Sequence, residues 1–165
     1  MSNITTVILA AGKSSRFKAN TSKLIYPLCG LPIISHVHKI AKKVSGKNIV
    51  IVCNKDNINE LKLILKDCIF VIQKHQKGTA DAIEQAKNKI NSKNVLILFG
   101  DTPLITVSSI NKLIKKFISS KVKASLIAFR TLKPFGYGRL ISKNDSPQEI
   151  IEQINLESYQ KKINL

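Results

Sequence analysis

Five short apolar runs, separated by stretches with helical spacing, restrict this chain to few folds. The runs are Thr6 to Ala11, Asn48 to Cys53, Cys68 to Ile72, Asn94 to Phe99 and Lys123 to Phe129, all rich in Val, Ile or Leu. Near-continuous apolar runs of this length suit strands covered on both faces, as in a parallel sheet. Between them, Pro32 to Lys43 repeats apolar residues at Ile33, Val37 and Ile40, and Asn57 to Leu65 follows a possible cap at Asp56. Thr79 to Lys89 carries Ala82, Ile83 and Ala86, and Ser108 to Phe117 carries Ile110, Leu113, Ile114 and Phe117. These are helical periods. Strands alternating with helices predict right-handed crossovers and an α/β, Rossmann-like doubly wound, mostly parallel sheet. With 165 residues, 44% of them hydrophobic, the chain is long enough to bury a core as one domain over 1–165.

Composition removes several classes of function. No apolar run approaches the roughly 18 to 20 residues that span a bilayer, and Met1-Ser2-Asn3 lacks the pattern of a secretory signal. A cytoplasmic protein without a membrane partner is expected. Cys29, Cys53 and Cys68 form no C-x-x-C pair and read as reduced, mostly buried residues. The net charge of +17 is mainly scattered lysine, with arginine only at positions 16, 130 and 139. Arginine is the residue suited to bidentate phosphate and guanine contacts, and 5% aromatic content without tryptophan supplies few stacking platforms. A specific nucleic-acid partner is therefore not expected.

In open α/β sheets, ligands bind outside the carboxyl ends of the strands. Three segments qualify. The first run ends in Leu9-Ala10-Ala11-Gly12 and enters the basic loop Lys13-Ser14-Ser15-Arg16, with Lys23 beyond; backbone N–H groups and cations in such a loop can hold phosphate. It is neither a P-loop nor a G-x-G-x-x-G dinucleotide loop. The second segment, Gln73 to Ala82, contains Gly78-Thr79. Its glutamine amide can read a base edge, and Gly78-Thr79 can present an N–H and a hydroxyl to a base or ribose, while Thr79 could equally cap the helix. In the third, Phe99-Gly100-Asp101-Thr102-Pro103-Leu104, a carboxylate follows a strand and a glycine. Mg²⁺ is commonly held by one or two carboxylates together with substrate phosphates, so Asp101 suffices for half a metal site. A fourth segment, Phe135-Gly136-Tyr137-Gly138-Arg139, permits close approach of backbone to a ligand or is a tight turn.

Together these segments resemble the sugar-nucleotide pyrophosphorylases, and most closely the uridylyltransferase domain of the bifunctional bacterial enzymes that make UDP-N-acetylglucosamine. The matching residues are Leu9 to Gly12, Arg16, Lys23-Leu24, Gln73, Gly78-Thr79, Phe99 to Leu104, Gly136 to Arg139 and Ile151-Glu152. The resemblance implies that Leu9, Ala10, Ala11, Gly12, Gln73, Gly78 and Thr79 hold the uridine and phosphates, with Phe99 and Gly100 beside them. It implies Arg16 and Lys23 as the catalytic cations on the triphosphate, Asp101 as the Mg²⁺ ligand, and Gly138 and Glu152 as contacts to N-acetylglucosamine. The implied substrates are UTP and N-acetylglucosamine-1-phosphate, and the implied product besides the sugar nucleotide is pyrophosphate.

The first loop departs from the family pattern by carrying serine where a second glycine is usual. The family's domain also continues beyond the point matched by Leu165, so a C-terminally incomplete sheet, half a metal site, exposed apolar surface and a missing C-terminal polypeptide are expected. A molybdenum-cofactor cytidylyltransferase-like enzyme shares the Leu-Ala-Ala-Gly opening and an aspartate after a strand. A non-catalytic nucleotide-binding remnant is the reading from another class.

Overall fold

A computed structural model describes residues 4–12, 17, 22–75, 77–143 and 146–165. The elements in chain order are β1 (Ile4–Leu9), β2 (Pro27–Leu28), β3 (Leu31–Pro32), α1 (Ile33–Ser45), β4 (Ile49–Cys53), α2 (Ile58–Ile64), β5 (Ile69–Ile72), α3 (Thr79–Ala86), β6 (Asn94–Phe99), α4 (Val107–Ser120), β7 (Arg139–Lys143) and β8 (Ser146–Ile151). The chain divides into two compact units, Met1–Lys112 and Leu113–Leu165.

The first unit is a parallel sheet in the order β5-β4-β1-β6, the α/β arrangement expected from the sequence. Successive side chains of a strand point to opposite faces, and the two faces of β1 meet different helices. Val7 and Ala11, with Val50 and Val52 of the next strand, pack against Ala82 and Ala86 of α3. Thr6 faces the other way, where its Oγ1 shares a hydrogen bond of 2.5 Å with Ser45 Oγ of α1. Without that partner a buried hydroxyl would carry a desolvation cost. Ile8, Ile49, Ile51, Val52, Ile34 and Val37 are fully buried, each worth about 2 kcal/mol relative to exposure. Strand order reverses direction between β1 and β6, which makes the gap beyond their carboxyl ends the switch point of the sheet.

The four strands of this sheet lie within two residues of their expected bounds. The fifth expectation fails: Lys123 to Phe129 is irregular chain without strand pairing, and Leu126, Ile127 and Phe129 are exposed. An apolar run becomes a strand only where a neighbour supplies ladder bonds, and the hydropathy pattern is silent about neighbours. In the second unit the pairing is instead between β7 and β8, an antiparallel hairpin with a register irregularity between Ile141 and Ser142. Cys53 is buried as expected, whereas Cys29 is exposed and Cys68 lies between. Among the described residues no helix is long and apolar enough to cross a membrane.

Candidate functional site

The carboxyl end of β1 is held by its neighbours on both sides. Ala10 donates its backbone N–H to the Val52 carbonyl at 2.7 Å, and the Leu9 carbonyl accepts from Gly100 N–H at 2.9 Å. Beyond that point the strand ladder gives way to side chains. Asn57 Nδ2 donates to the Ala10 carbonyl at 2.8 Å, and Asn54 Nδ2 donates to the Ala11 carbonyl at 3.0 Å. Gly12 is exposed, with nothing within 4 Å of where a Cβ would stand. Arg16, expected to act on the triphosphate, lies outside the described residues, as do Lys13, Ser14 and Ser15.

Across the switch point, the packing explains why glycine precedes Asp101. A methyl group on Gly100 would meet the Leu9 carbonyl oxygen at 3.1 Å, Leu24 Cδ2 at 3.3 Å and Ile34 Cδ1 at 3.4 Å. Thr102 then turns the chain, its N–H (3.3 Å) and Oγ1 (2.8 Å) both donating to the Phe99 carbonyl. Asp101 stands at the tip of this turn, and Phe99 is half exposed beside it. Lys23 reaches it from the single helical turn Lys23–Ile25, which buried Leu24 anchors and Ser22 Oγ caps by accepting from Leu24 N–H at 3.4 Å.

Lys23 Nζ lies 3.0 Å from Asp101 Oδ2, with the two side chains 39% and 44% exposed. An ion pair that open to solvent contributes about 0–1 kcal/mol, too little for stability to account for it. The donor set fits a magnesium ion, because one carboxylate with substrate phosphates is that ion's usual mode. An all-protein cage is another matter: among the described residues no group of three or more His, Cys, Asp or Glu side chains is placed to hold a metal.

Gln73, Gly78 and Thr79 come together at the end of β5. Gln73 is buried, and its Nε2 donates to the Gly78 carbonyl at 3.1 Å and to Asp81 Oδ2 at 2.6 Å. Gly78 has φ +106°, a backbone setting that strains any residue with a Cβ. Thr79 opens α3 at its first helical position, following Gly78 rather than capping the helix itself. The hydrogen bond from Gln73, above all, holds the Asp81 carboxyl below its usual range. Since Asp81 and the Gly78 carbonyl both accept, the Gln73 NH₂ must face them, leaving its Oε1 as the acceptor to present elsewhere.

The second unit brings together the two residues expected at the sugar. Gly138 precedes β7 where a methyl group would meet Ile150 Cγ2 and the Ile151 carbonyl, each at 3.3 Å, and Glu152 Oε2 at 3.8 Å. Gly138 and Glu152 line a cavity of about 220 Å³ with Tyr137, Arg139 and Phe129. Arg139 is almost fully buried. Its guanidinium donates to the Tyr137 carbonyl and, at 3.2 Å, to Gln153 Oε1, while its Nε has no partner among the described residues. Gln153 Oε1 also accepts from Gly136 N–H at 3.2 Å, so one glutamine ties the glycine turn to the residue after Glu152.

Sequence reasoning missed Asn54, Asn57 and the structural part played by Arg139. Asn54-Lys55-Asp56-Asn57 directly after an apolar strand was the available signal for the first two.

Comparison with known proteins identifies the domain to which this parallel sheet belongs. Residues 6–147 match the MobA-like NTP transferase domain. The bifunctional protein GlmU of Buchnera aphidicola is 40% identical over 163 residues, covering 97% of this chain and 35% of that protein. GlmU of Shouchella clausii is 37% identical over 155 residues, covering 92% of this chain and 34% of its own. The chain thus spans about a third of the length of these relatives. A crystal structure from Bacillus anthracis, assigned as a glucose-1-phosphate thymidylyltransferase, superposes with a TM-score of 0.80 over 91% of this chain and 64% of that one, at 21% identity, and shares the fold. With a family match running from β1 into the β7–β8 hairpin, this chain belongs to the MobA-like NTP transferase domain family.

Proposed function

We propose that this chain carries the uridylyltransferase site for making UDP-N-acetylglucosamine from UTP and N-acetylglucosamine-1-phosphate. In this reaction a phosphate oxygen of the sugar-1-phosphate attacks the α-phosphorus of UTP, and pyrophosphate leaves with the electron pair of the broken P–O bond. Such transfers depend on positioning and charge neutralisation more than on a protein nucleophile. The observation that carries the reading is the Lys23–Asp101 pair, placed next to Gly100, whose N–H bonds the Leu9 carbonyl at the end of β1. Lys23 supplies positive charge to the triphosphate, and by family resemblance Arg16 joins it. Asp101 would hold Mg²⁺, which when bound neutralises phosphate charge. Gly138 and Glu152 would contact the N-acetylglucosamine moiety.

The orientation of Gln73 supports uracil as the base. Its NH₂ group is committed to Gly78 and Asp81, so it presents Oε1. Uracil offers an N3–H donor to such an acceptor, whereas cytosine has a bare lone pair at N3. The soluble, phosphorylated substrates put the reaction in the cytoplasm.

The test is thermal unfolding with Mg²⁺ and either UTP or CTP, coupled to an assay of pyrophosphate release from UTP and N-acetylglucosamine-1-phosphate. UTP should raise Tm more than CTP. Equal shifts would refute the base assignment, a larger shift with CTP would favour a cytidylyltransferase, and binding without pyrophosphate release would mark a non-catalytic nucleotide-binding chain.

A further inference from the structure

Beyond the last ladder pair of the β7–β8 hairpin, Arg139 with Ile151, the two chains run on to Gly138 and Glu152. They stay in contact there: a methyl group on Gly138 would meet the Ile151 carbonyl at 3.3 Å and Glu152 Oε2 at 3.8 Å. One side-chain oxygen joins the two chains at this point. Gln153 Oε1 accepts from Gly136 N–H and from the Arg139 guanidinium, each at 3.2 Å, so a single acceptor next to Glu152 brackets Gly138 from both sides.

Each chain that meets this oxygen has its own anchor. The Gly136 turn is closed by Tyr137 N–H on the Pro134 carbonyl at 3.2 Å, with Gly136 at φ +87°, the setting that a type II turn requires of its third residue. On the opposite chain, Asn155 N–H donates to the Glu152 carbonyl at 2.9 Å across the single turn Gln153–Asn155. Glu152 is thereby fixed in its backbone while its side chain stays exposed. Arg139 is 2% exposed, and its guanidinium donates to two neutral oxygens, the Tyr137 carbonyl and Gln153 Oε1. Hydrogen bonds from a charged donor are the stronger kind, which makes the buried arginine a firm brace for the glutamine.

We propose that Gln153, braced by Arg139, is a positioning residue that sets the spacing between the Gly138 backbone and the Glu152 carboxylate, and thereby the fit of the sugar against them. The role rests on the reading that Gly138 and Glu152 contact N-acetylglucosamine, and extends it to a side chain outside the family-like motifs. Gln153 does not touch the sugar; it acts through Gly136, Arg139 and its own backbone. A carboxylate accepts from sugar hydroxyls only within hydrogen-bond distance and angle, so a shift of the glycine turn by about an ångström is felt as lost sugar affinity.

Gln153→Met keeps the length of the side chain but ends in a methyl group where the accepting oxygen stood, whereas Gln153→Glu keeps an acceptor for both donors. Gln153→Asn, too short to reach both, serves if Gln153→Met fails to fold. The first measurement is calorimetric binding of UDP-N-acetylglucosamine and of UDP, which lacks the sugar. Gln153→Met should weaken UDP-N-acetylglucosamine about 10-fold, the cost of one misaligned bond to a charged group, and change UDP by less than about 2-fold. Gln153→Glu should leave both within about 2-fold of wild type on the same scale. The second measurement is hydrogen exchange without ligand, in which the Gly136 amide should exchange faster in Gln153→Met and not in Gln153→Glu. Faster exchange with an unchanged ratio of the two affinities overturns the role, as do unchanged exchange, equal losses for both ligands, or a Gln153→Glu chain that loses the sugar as Gln153→Met does. A wild-type chain that binds the two ligands equally refutes the sugar contact on which the role rests, and one that binds neither refutes the nucleotide reading as well. A wild-type preference for UDP-N-acetylglucosamine with any of the overturning variant results refutes the role alone.

Discussion

Replacing Gly100 with alanine tests the idea that the switch point is built by close contact between the ends of β1 and β6. Glycine here has no left-handed backbone to explain it; what excludes a side chain is space. The added Cβ would lie 3.1 Å from the Leu9 carbonyl oxygen, 3.3 Å from Leu24 Cδ2 and 3.4 Å from Ile34 Cδ1. The two methyl groups belong to side chains able to yield a few tenths of an ångström. The carbonyl cannot, because it accepts the 2.9 Å bond from Gly100 N–H and belongs to the strand paired on both sides. Overpacking of this kind costs about 1–3 kcal/mol, offset by about 0.4–1 kcal/mol from the restricted unfolded chain. The middle of the two ranges leaves a net loss of about 1.3 kcal/mol, equivalent to a fall in Tm of roughly 3–5 °C for a chain of this size. Gly12→Ala is the control: nothing lies within 4 Å of its Cβ position, so stability should be unchanged or slightly raised while UTP binding weakens. Urea unfolding of both variants, compared at constant m, reads the difference. A Gly100→Ala midpoint equal to wild type would refute the reasoning, since it would mean that the ends of β1 and β6 can separate at no cost.

Three further outcomes follow from the geometry. Asp101→Asn should change unfolding free energy by less than about 1 kcal/mol, because its ion pair with Lys23 is exposed, yet abolish pyrophosphate release; activity that survives would remove Asp101 from the metal role. Asp81→Asn should narrow the preference for UTP over CTP, since the asparagine no longer dictates which end of the Gln73 amide faces it; an unchanged preference in a binding titration would detach base choice from Gln73. Burial first, and then the Lys42 charge, lower the pKa of His38 from 6.5, against the opposing pull of Asp67. The folded state thus resists protonation that the unfolded chain accepts, so the contribution of His38 to stability is present above pH 6.5 and lost as pH falls through its lower folded value. Denaturant midpoints at pH 7.5 and 5.5 should differ less in His38→Asn than in wild type, and equal pH slopes would exclude His38 as the source.

The parts of this fold legible in the sequence are those where a local pattern has one structural meaning. Ile49–Cys53 is apolar at every position and is buried at every position, as a central parallel strand requires. Lys123 to Phe129 carries a similar pattern, but whether such a run pairs depends on residues far away in sequence. The β7–β8 hairpin shows the converse: Ser146–Ile151 is largely exposed, so no hydrophobic period announces it. Asn54 and Asn57 were masked by their surroundings, since in a chain rich in asparagine two more carry little information. Their role depends on carbonyls 43 and 47 residues away, a relation no local pattern encodes.

Lys23 shows how position rather than residue type sets one lysine apart in so basic a chain. Lys42–Asp67 and Lys87–Glu84 are ion pairs of similar length and equal or greater exposure, and chemically they are the same contact. None of the three contributes much stability. Lys42 lies in the last turn of α1, where a cation is favoured by the helix dipole, and Lys87 pairs with a residue three positions earlier, as neighbouring side chains on a helix do. Lys23 and Asp101 are 78 residues apart. Each is brought to the same point by an anchored turn, Leu24 burying one and the Gly100 contact fixing the other. A contact that supplies little energy is thus placed at the switch point by two packed turns that touch each other, and under the proposed function its charge is what the triphosphate meets.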